Sequence, residues 1–254
     1  YAGLPVDIST LKKIAKKHNL VFIEDSAHGL GASYGKKKVG GLADMTMFSF
    51  HPVKSITPGE GGATVTNSKE YYEKLMMFRS HGITKDQKKL LRKKNPAWYH
   101  EMQDMGFNYR LTDIQAALGV SQMKKLDFFI EKRRAIALRY QKEFANLKNF
   151  IIPKTFSGRE SSWHLFALRL IPEKKHLRNF CFEEFHKAGI GVQVHYIPVY
   201  LHPHYEALGY KKGLCPHAEL FSESEISIPV FPALTIKEQT AVIKVVQTMD
   251  SKLE

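Results

Sequence analysis

Apolar and polar positions along the chain change between a helical and a strand-like period. Apolar residues recur every three or four positions behind Asp7, which predicts a helix that Asp7 caps and that ends near His18. The apolar run 20–23 then predicts a buried strand that ends at Glu24 and Asp25. The chain therefore opens with a helix followed by a buried strand.

The same patterns predict the later elements. Further strands are expected at 45–50, 63–66, 164–170 and 191–195. Further helices are expected from Asn67 or Ser68 onward and at 112–123, 126–144, 178–188 and 235–249. Capping boxes support two of these helices, since Thr112 precedes Gln115 and Thr235 precedes Glu238. The alternation predicts an α/β fold, in which residues 1–149 belong to a larger domain and 150–254 form a small α+β domain.

Composition narrows the class of protein. The 254 residues contain no apolar run of about 18 residues, which argues against a membrane span. Two cysteines, Cys181 and Cys215, are too few for a disulfide scaffold and indicate a reducing, cytoplasmic location. The net charge of +13 raises the alternative of nucleic-acid binding through the basic segments 35–38 and 85–94. Neither segment accompanies a nucleic-acid-binding motif, so exposed loops are the favoured interpretation.

Candidate chemistry follows two of the predicted strands. Asp25 and His28 come after the first strand, and Ser49 and Lys54 come at and after the next. Ligands of open α/β sheets bind at the carboxyl ends of strands. A lysine in a partly dry site can form a Schiff base, and a hydroxyl beside the glycines of 59–62 can bind phosphate. An acid, a lysine and phosphate donors are what pyridoxal phosphate requires, although each residue alone is more often a turn or solvated residue.

Three longer segments carry a family resemblance. The segments 22–32, 48–63 and 105–119 resemble the DegT/DnrJ/StrS nucleotide-sugar aminotransferases. The resemblance extends over essentially the whole chain. The resemblance implies a fold-type I, aspartate-aminotransferase-like, pyridoxal-phosphate-dependent fold. Segments 51–57 and 191–200 look most like the branch that acts in pseudaminic acid biosynthesis. That branch implies amination of a UDP-linked 4-keto-6-deoxy-N-acetyl hexose with L-glutamate as amino donor.

The resemblance also implies residue roles. Lys54 matches the lysine that forms the Schiff base and moves the proton, and Asp25 matches the partner of the pyridinium nitrogen. His28 matches a contact to the cofactor's phenolic oxygen, and Ser49 matches a phosphate ligand. Asn108 matches a residue that reaches the phosphate in the neighbouring subunit, which implies a homodimer with shared active sites.

Four further residues are weaker substrate candidates. They are Tyr109, Arg110, His195 and Tyr196. The alternatives left open are a different nucleotide-linked keto sugar and an inactive paralogue. Family members that catalyse dehydration carry histidine in place of Lys54, so that activity is not expected. No metal is expected at His202, His204, His217 and Cys215, because their spacing matches no metal site.

The beginning of the chain differs from the family pattern. Relatives carry an earlier segment with a phosphate-binding turn and an aromatic residue that stacks on the cofactor, whereas this sequence begins at Tyr1 without Met. We therefore expect a fragment that by itself binds the cofactor weakly. Pro58 also stands where relatives have a small or hydroxyl residue, which removes one backbone donor.

Overall fold

A computed structural model describes residues 1–253, which form two compact units. The first consists of Tyr1 and Pro5–Leu126, and the second of Ala2–Leu4 and the chain from Asp127 onward. This division falls earlier in the chain than the domain boundary near residue 150, which stays a prediction.

The first unit is built around a small mixed sheet. Its helices are α1 (Ile8–Lys17), α2 (Lys69–Arg79) and α3 (Asp113–Met123). Its strands are β1 (Ile23–Asp25), β2 (Ser33–Tyr34), β3 (Lys37–Lys38), β4 (Met45–Ser49), β5 (Gly62–Val65), β6 (Ile83–Thr84) and β7 (Glu101–Met102). The sheet has the order β1-β4-β5, in which β1 runs parallel to β4 and β5 runs antiparallel to β4. β2 with β3, and β6 with β7, form antiparallel pairs.

The predicted helix starts are confirmed by their caps. The Asp7 carboxylate accepts the Thr10 N–H at 3.2 Å and begins α1. Thr112 and Gln115 form the expected capping box at the start of α3. Each cap accepts a backbone N–H that has no partner within its helix, which is why these sequence signals were reliable.

The predicted burial of residues 20–23 is wrong. Leu20, Val21 and Ile23 are 60%, 50% and 59% exposed, and the strand begins only at Ile23. The reason is that β1 is an edge strand whose inward-facing residue is polar. Glu24 is 6% exposed and accepts the Thr46 hydroxyl at 3.4 Å.

The second unit has the larger hydrophobic core. Its helices are α4 (Leu126–Glu143, of which Leu126 lies in the first unit), α5 (Arg178–Lys187), α6 (Pro203–Ala207), α7 (Pro216–Ser224) and α8 (Ile236–Lys252), with 3₁₀ turns at Pro172–Leu177 and Val199–Leu201. Its strands are β8 (Phe150–Ile151), β9 (Arg159–Glu160), β10 (Phe166–Leu170) and β11 (Glu225–Ile228). The antiparallel sheet β11-β10-β8 packs in a core that includes Phe144, Phe166, Phe185 and Val246.

The predicted strand at 191–195 is also wrong. Only Gln193 pairs there, through a single bridge to Ser227. The segment then leaves the sheet, because the His195 N–H donates to the Glu225 carboxylate at 2.7 Å rather than to a backbone carbonyl. The bridge joins this segment to β11, a strand that the sequence did not predict.

No helix within residues 1–253 is both long and apolar enough to cross a membrane.

Candidate functional site

The carboxyl ends of β1 and β4 bring four of the predicted residues to one edge of the sheet. Asp25 ends β1 and Ser49 ends β4. Because the two strands run parallel, with Asp25 opposite Met47, these ends lie at the same edge. His28 and Lys54 follow in the two loops that leave this edge. The sheet topology therefore places an acid, a hydroxyl, an imidazole and an amine within one region.

Asp25 is presented by a local turn. Its carboxylate accepts the Ala27 N–H at 3.0 Å, which is the bond that an aspartate makes in an Asx turn. The backbone of Ser26 is bonded to the sheet, since its N–H donates to the Met47 carbonyl at 2.9 Å. The side chain of Asp25 is exposed and can receive a cationic group.

Glu24, the neighbour of Asp25, lies buried on the opposite face of β1. Burial raises the pKa of its carboxyl, and hydrogen bonds from Ser26 and Thr46 oppose that rise. The only available signal was the acidic pair at the end of a strand, in which alternation points one acid inward and the other outward.

Lys54 is half-buried in the loop after β4. Burial lowers the pKa of its ammonium group, while the negative charge of Asp25 partly opposes this effect. The charge of Asp25 therefore acts on the Lys54 amine. A lysine of lowered proton affinity is a better nucleophile and base than a solvated one.

The loop that carries Lys54 is closed by hydrogen bonds across its base. The Phe50 N–H donates to the Gly61 carbonyl at 2.8 Å, and the Thr57 hydroxyl donates to the Phe50 carbonyl at 2.9 Å. The Gly59 N–H donates to the Thr57 hydroxyl at 2.9 Å, so the turn is closed despite the missing N–H of Pro58. Gly61 has a φ of +146°, a conformation that favours glycine.

Ser49 and His28 lie where they can contact a ligand at this edge. The Ser49 hydroxyl oxygen accepts the His51 N–H at 3.4 Å, so its own O–H can donate to an anion. The half-buried His28 ring lies 5.9 Å from the Tyr1 ring, with the two planes tilted by 51°.

Asn108, Tyr109 and Arg110 form an exposed segment of the first unit. Asn108 makes a β-bridge to Ser80, and the Tyr109 N–H donates to the Arg79 carbonyl at 3.0 Å. The Tyr109 ring is stacked on Phe107 at 4.8 Å. The backbone of this segment is thus held in place while its three candidate side chains face outward.

His195 and Tyr196 belong to the second unit and lie beside a buried acid. Glu225 is 0% exposed, and burial raises the pKa of its carboxyl to about 7. Hydrogen bonds from Ser227 and from the His195 backbone lower this pKa, but by less than burial raises it. Burial and the Glu225 charge also raise the pKa of Tyr196. Sequence reasoning missed Glu225 and Ser227. The alternation of polar and apolar residues over 225–228 was the available signal of a strand with polar residues on one face.

The basic side chains of both segments are exposed, but part of the first segment forms a strand rather than the expected loop. Lys37 and Lys38 lie on β3, and Lys89 of the second basic segment pairs with Glu73 at 3.0 Å. Among residues 1–253, no group of three or more His, Cys, Asp or Glu side chains is arranged to hold a metal ion.

Comparison with known proteins gives a consistent family match. The sequence pattern of the DegT/DnrJ/EryC1/StrS aminotransferase family matches residues 1–247. The chain is 42% identical, over 94% of its length and 61% of the relative's, to a UDP-4-amino-4,6-dideoxy-N-acetyl-beta-L-altrosamine transaminase of Campylobacter jejuni.

Solved structures agree. PseC of Helicobacter pylori, an aminotransferase of pseudaminic acid biosynthesis, superposes with a TM-score of 0.90 at 37% identity, over 99% of this chain and 65% of that one. The PLP-form of a putative sugar aminotransferase of Streptococcus pneumoniae superposes with a TM-score of 0.87 at 29% identity, over 100% of this chain and 67% of that one. The chain thus spans less than two thirds of the length of the curated relatives it matches. The expected α/β aminotransferase fold is confirmed.

Proposed function

The chain belongs to the DegT/DnrJ/EryC1/StrS aminotransferase family, and from this premise we propose that it transfers an amino group from L-glutamate to a nucleotide-linked keto sugar with pyridoxal phosphate as cofactor. The proposed acceptor is a UDP-linked 4-keto-6-deoxy-N-acetyl hexose, as the name of the Campylobacter jejuni relative suggests. The observation that carries this proposal is the joint position of Asp25 and Lys54 at one sheet edge, where the Asp25 charge acts on a half-buried amine.

The residues present fit the cofactor chemically. When bound, pyridoxal phosphate supplies an aldehyde for the amine and an electron-withdrawing ring that stabilises negative charge on the adjacent carbon. The exposed Asp25 carboxylate would bind the protonated ring nitrogen. The Ser49 O–H and the backbone of the loop 50–62 would bind the phosphate, and His28 would contact the phenolic oxygen.

Lys54 is proposed to move protons. Its Nζ would take the proton from the α-carbon of glutamate in the first half of the reaction, and in the second half it would deliver a proton to C4 of the sugar. Desolvation suits Lys54 for this role, because a lowered pKa leaves more of the amine unprotonated near neutral pH. The products would be 2-oxoglutarate and an amino sugar.

An exposed apolar surface supports a homodimer. No residue of α3 is buried, and Ile114 is 86% exposed. A groove of about 500 Å³ lies beside α3, lined by Ile56, Pro58 and Met123 among others. Exposed apolar surface of this kind marks an interaction site.

We propose that a second copy covers this groove and that Asn108 reaches the cofactor phosphate of that copy. Tyr109, Arg110, His195 and Tyr196 would contact the sugar nucleotide. A cytoplasmic location is proposed because both cysteines within the described residues are free thiols.

The test is a transamination assay with the purified protein, pyridoxal phosphate, L-glutamate and a panel of nucleotide 4-keto and 3-keto sugars. We expect 2-oxoglutarate to form with the UDP-linked 4-keto-6-deoxy-N-acetyl hexose and Lys54→Ala to abolish turnover. Lys36→Ala is the matched control, since Lys36 is an exposed lysine of the same unit. Parent activity in Lys54→Ala would contradict the proposed role, and a preference for another sugar would identify a different branch of the family.

A further inference from the structure

The end of α2 holds the backbone of the segment that carries Asn108. Phe78 and Arg79 lie in the last turn of α2, where the carbonyls have no partner within the helix. The Phe107 N–H donates to the Phe78 carbonyl at 2.7 Å. The Tyr109 N–H donates to the Arg79 carbonyl at 3.0 Å. Asn108 lies between these two bonds, so the helix end fixes its backbone from both sides.

Two glycines allow the two segments to approach this closely. A Cβ added to Gly106 would lie 2.1 Å from the backbone N of Gly82, and one added to Gly82 would lie 1.7 Å from the Asp104 carbonyl oxygen. A side chain at either position would therefore push the segments apart. Gly82 also has a φ of +68°, a conformation that favours glycine. We call this approach of Gly82 to residues 104–106 the glycine crossing.

Packing in a core does not hold the segment. Asn108, Tyr109 and Arg110 are all exposed, so the position of their backbone depends on the hydrogen bonds to α2 and on the glycine crossing that permits them. A side chain that projects from a fixed backbone binds a ligand more tightly than one that must be ordered on binding.

We propose that the glycine crossing positions Asn108 to reach the cofactor phosphate of a second copy of this chain, so that Gly82 and Gly106 are positioning residues of that shared site. The assignment to the phosphate rests on the proposed function. The crossing itself lies within the first unit and needs no bound ligand.

Amide hydrogen exchange in the cofactor-free protein tests the positioning. We expect Gly106→Ala to raise the exchange rates of the Phe107 and Tyr109 amides about tenfold, as for the loss of one hydrogen bond, while the amides of β4 keep their protection. Gly41→Ala is the matched control, since a Cβ on this exposed glycine of the same unit meets only Asn67 Nδ2, at 3.6 Å. Unchanged protection in Gly106→Ala would overturn the proposal.

A second pair of variants serves if Gly106→Ala does not fold. Phe107→Pro and Phe107→Leu both lose the aromatic ring, but only proline removes the N–H that donates to Phe78. Phe107→Pro should expose the Tyr109 amide to exchange and weaken cofactor binding relative to Phe107→Leu. Equal behaviour of the two variants would overturn the proposal.

Cofactor titration tests the link to the phosphate. We expect Asn108→Ala and Gly106→Ala each to weaken the affinity for pyridoxal phosphate about 10- to 100-fold, as for the loss of a hydrogen bond to a charged group. The double variant should bind no more weakly than the weaker single variant, because both changes remove one contact. Effects that multiply in the double variant, as for a role in folding alone, would overturn the proposal, as would wild-type affinity in Gly106→Ala.

These measurements separate the inference from the proposed function. If the wild-type protein binds no pyridoxal phosphate, or if Asn108→Ala binds it as wild type does, the proposed phosphate contact fails. Faster exchange at Phe107 and Tyr109 in Gly106→Ala would then still establish that the glycine crossing holds the segment.

Discussion

The burial of Glu225 should make the stability of the second unit depend on pH. Its carboxyl has a pKa of about 7 in the folded protein, raised by burial from the ordinary value of 4.5. The folded state therefore holds this proton more tightly than the unfolded state. The resulting stabilisation is fully present below about pH 4.5 and is lost as the pH rises through about 7. The difference between the two values, at about 1.36 kcal/mol per pH unit, corresponds to about 3 kcal/mol.

Several charged and polar groups face this carboxyl, and they already act on its pKa. Ser227 donates from the same strand, the His195 N–H donates from the preceding segment, and Arg178 of α5 acts through its charge. All three lower the pKa, so burial exceeds their combined effect. Tyr196 lies close enough for the Glu225 charge to raise its own pKa.

The assay is urea denaturation at a series of pH values, in wild type and in Glu225→Gln. The chain has two tryptophans, Trp163 in the second unit and Trp98 in the first. In a Trp98→Phe background, the fluorescence of the buried Trp163 reports on the second unit alone. We expect the free energy of unfolding of wild type, relative to Glu225→Gln, to fall by about 3 kcal/mol between about pH 4.5 and 8.

Glu219→Gln is the matched control. Glu219 is also a buried glutamate of the second unit, but its pKa is lowered, chiefly by the hydrogen bond that the Tyr200 hydroxyl donates to it at 2.6 Å. Its contribution to stability should therefore have the opposite sign and be lost as the pH falls. Equal pH dependence in wild type and Glu225→Gln would refute the reasoning.

Three further outcomes are expected. Asp25→Asn should weaken cofactor affinity roughly 10- to 100-fold by spectroscopic titration, since a hydrogen bond to a charged group contributes about 1.5–3 kcal/mol. Asp44→Asn should leave the cofactor affinity unchanged, because Asp44 directly precedes β4 and so lies at the other end of the strands. Asp250→Ala should lower the free energy of unfolding by roughly 1–3 kcal/mol, because the Asp250 carboxylate accepts the buried Asn149 N–H at 2.7 Å. The control Ser251→Ala, at an exposed position, should change the free energy of unfolding by less than about 0.5 kcal/mol. A gel shift with random DNA at low salt should show no binding, and a salt-sensitive complex would support the nucleic-acid alternative.

The local elements that the sequence predicted well are those that depend on neighbouring residues. Asp7, Thr112 and Thr235 begin their helices as expected, because a cap needs only a side chain and a backbone N–H three residues away. The candidates Asp25 and Lys54 were identifiable for a similar reason. Asp25 ends β1 and Lys54 follows β4, and the carboxyl ends of two parallel strands lie on the same side of a sheet.

Burial and pairing partners were decided by the tertiary structure. The apolar residues before Glu24 looked like a buried strand, yet they lie exposed at a sheet edge. Residues 225–228 were not recognised as a strand, yet they form one whose four residues are all buried. Whether an apolar side chain is covered depends on distant segments, which a local pattern does not contain.

The sequence by itself determined the family of this protein, its helix starts and the presence of an acid at the end of one strand and a lysine after another. Only the tertiary structure brought Glu225, Ser227 and His195 together across about thirty positions of chain. The spacing of these three residues matches no local motif, and their chemistry depends on burial. The pKa of about 7 at Glu225 results from burial in the surrounding core, and burial cannot be read from the residue types alone.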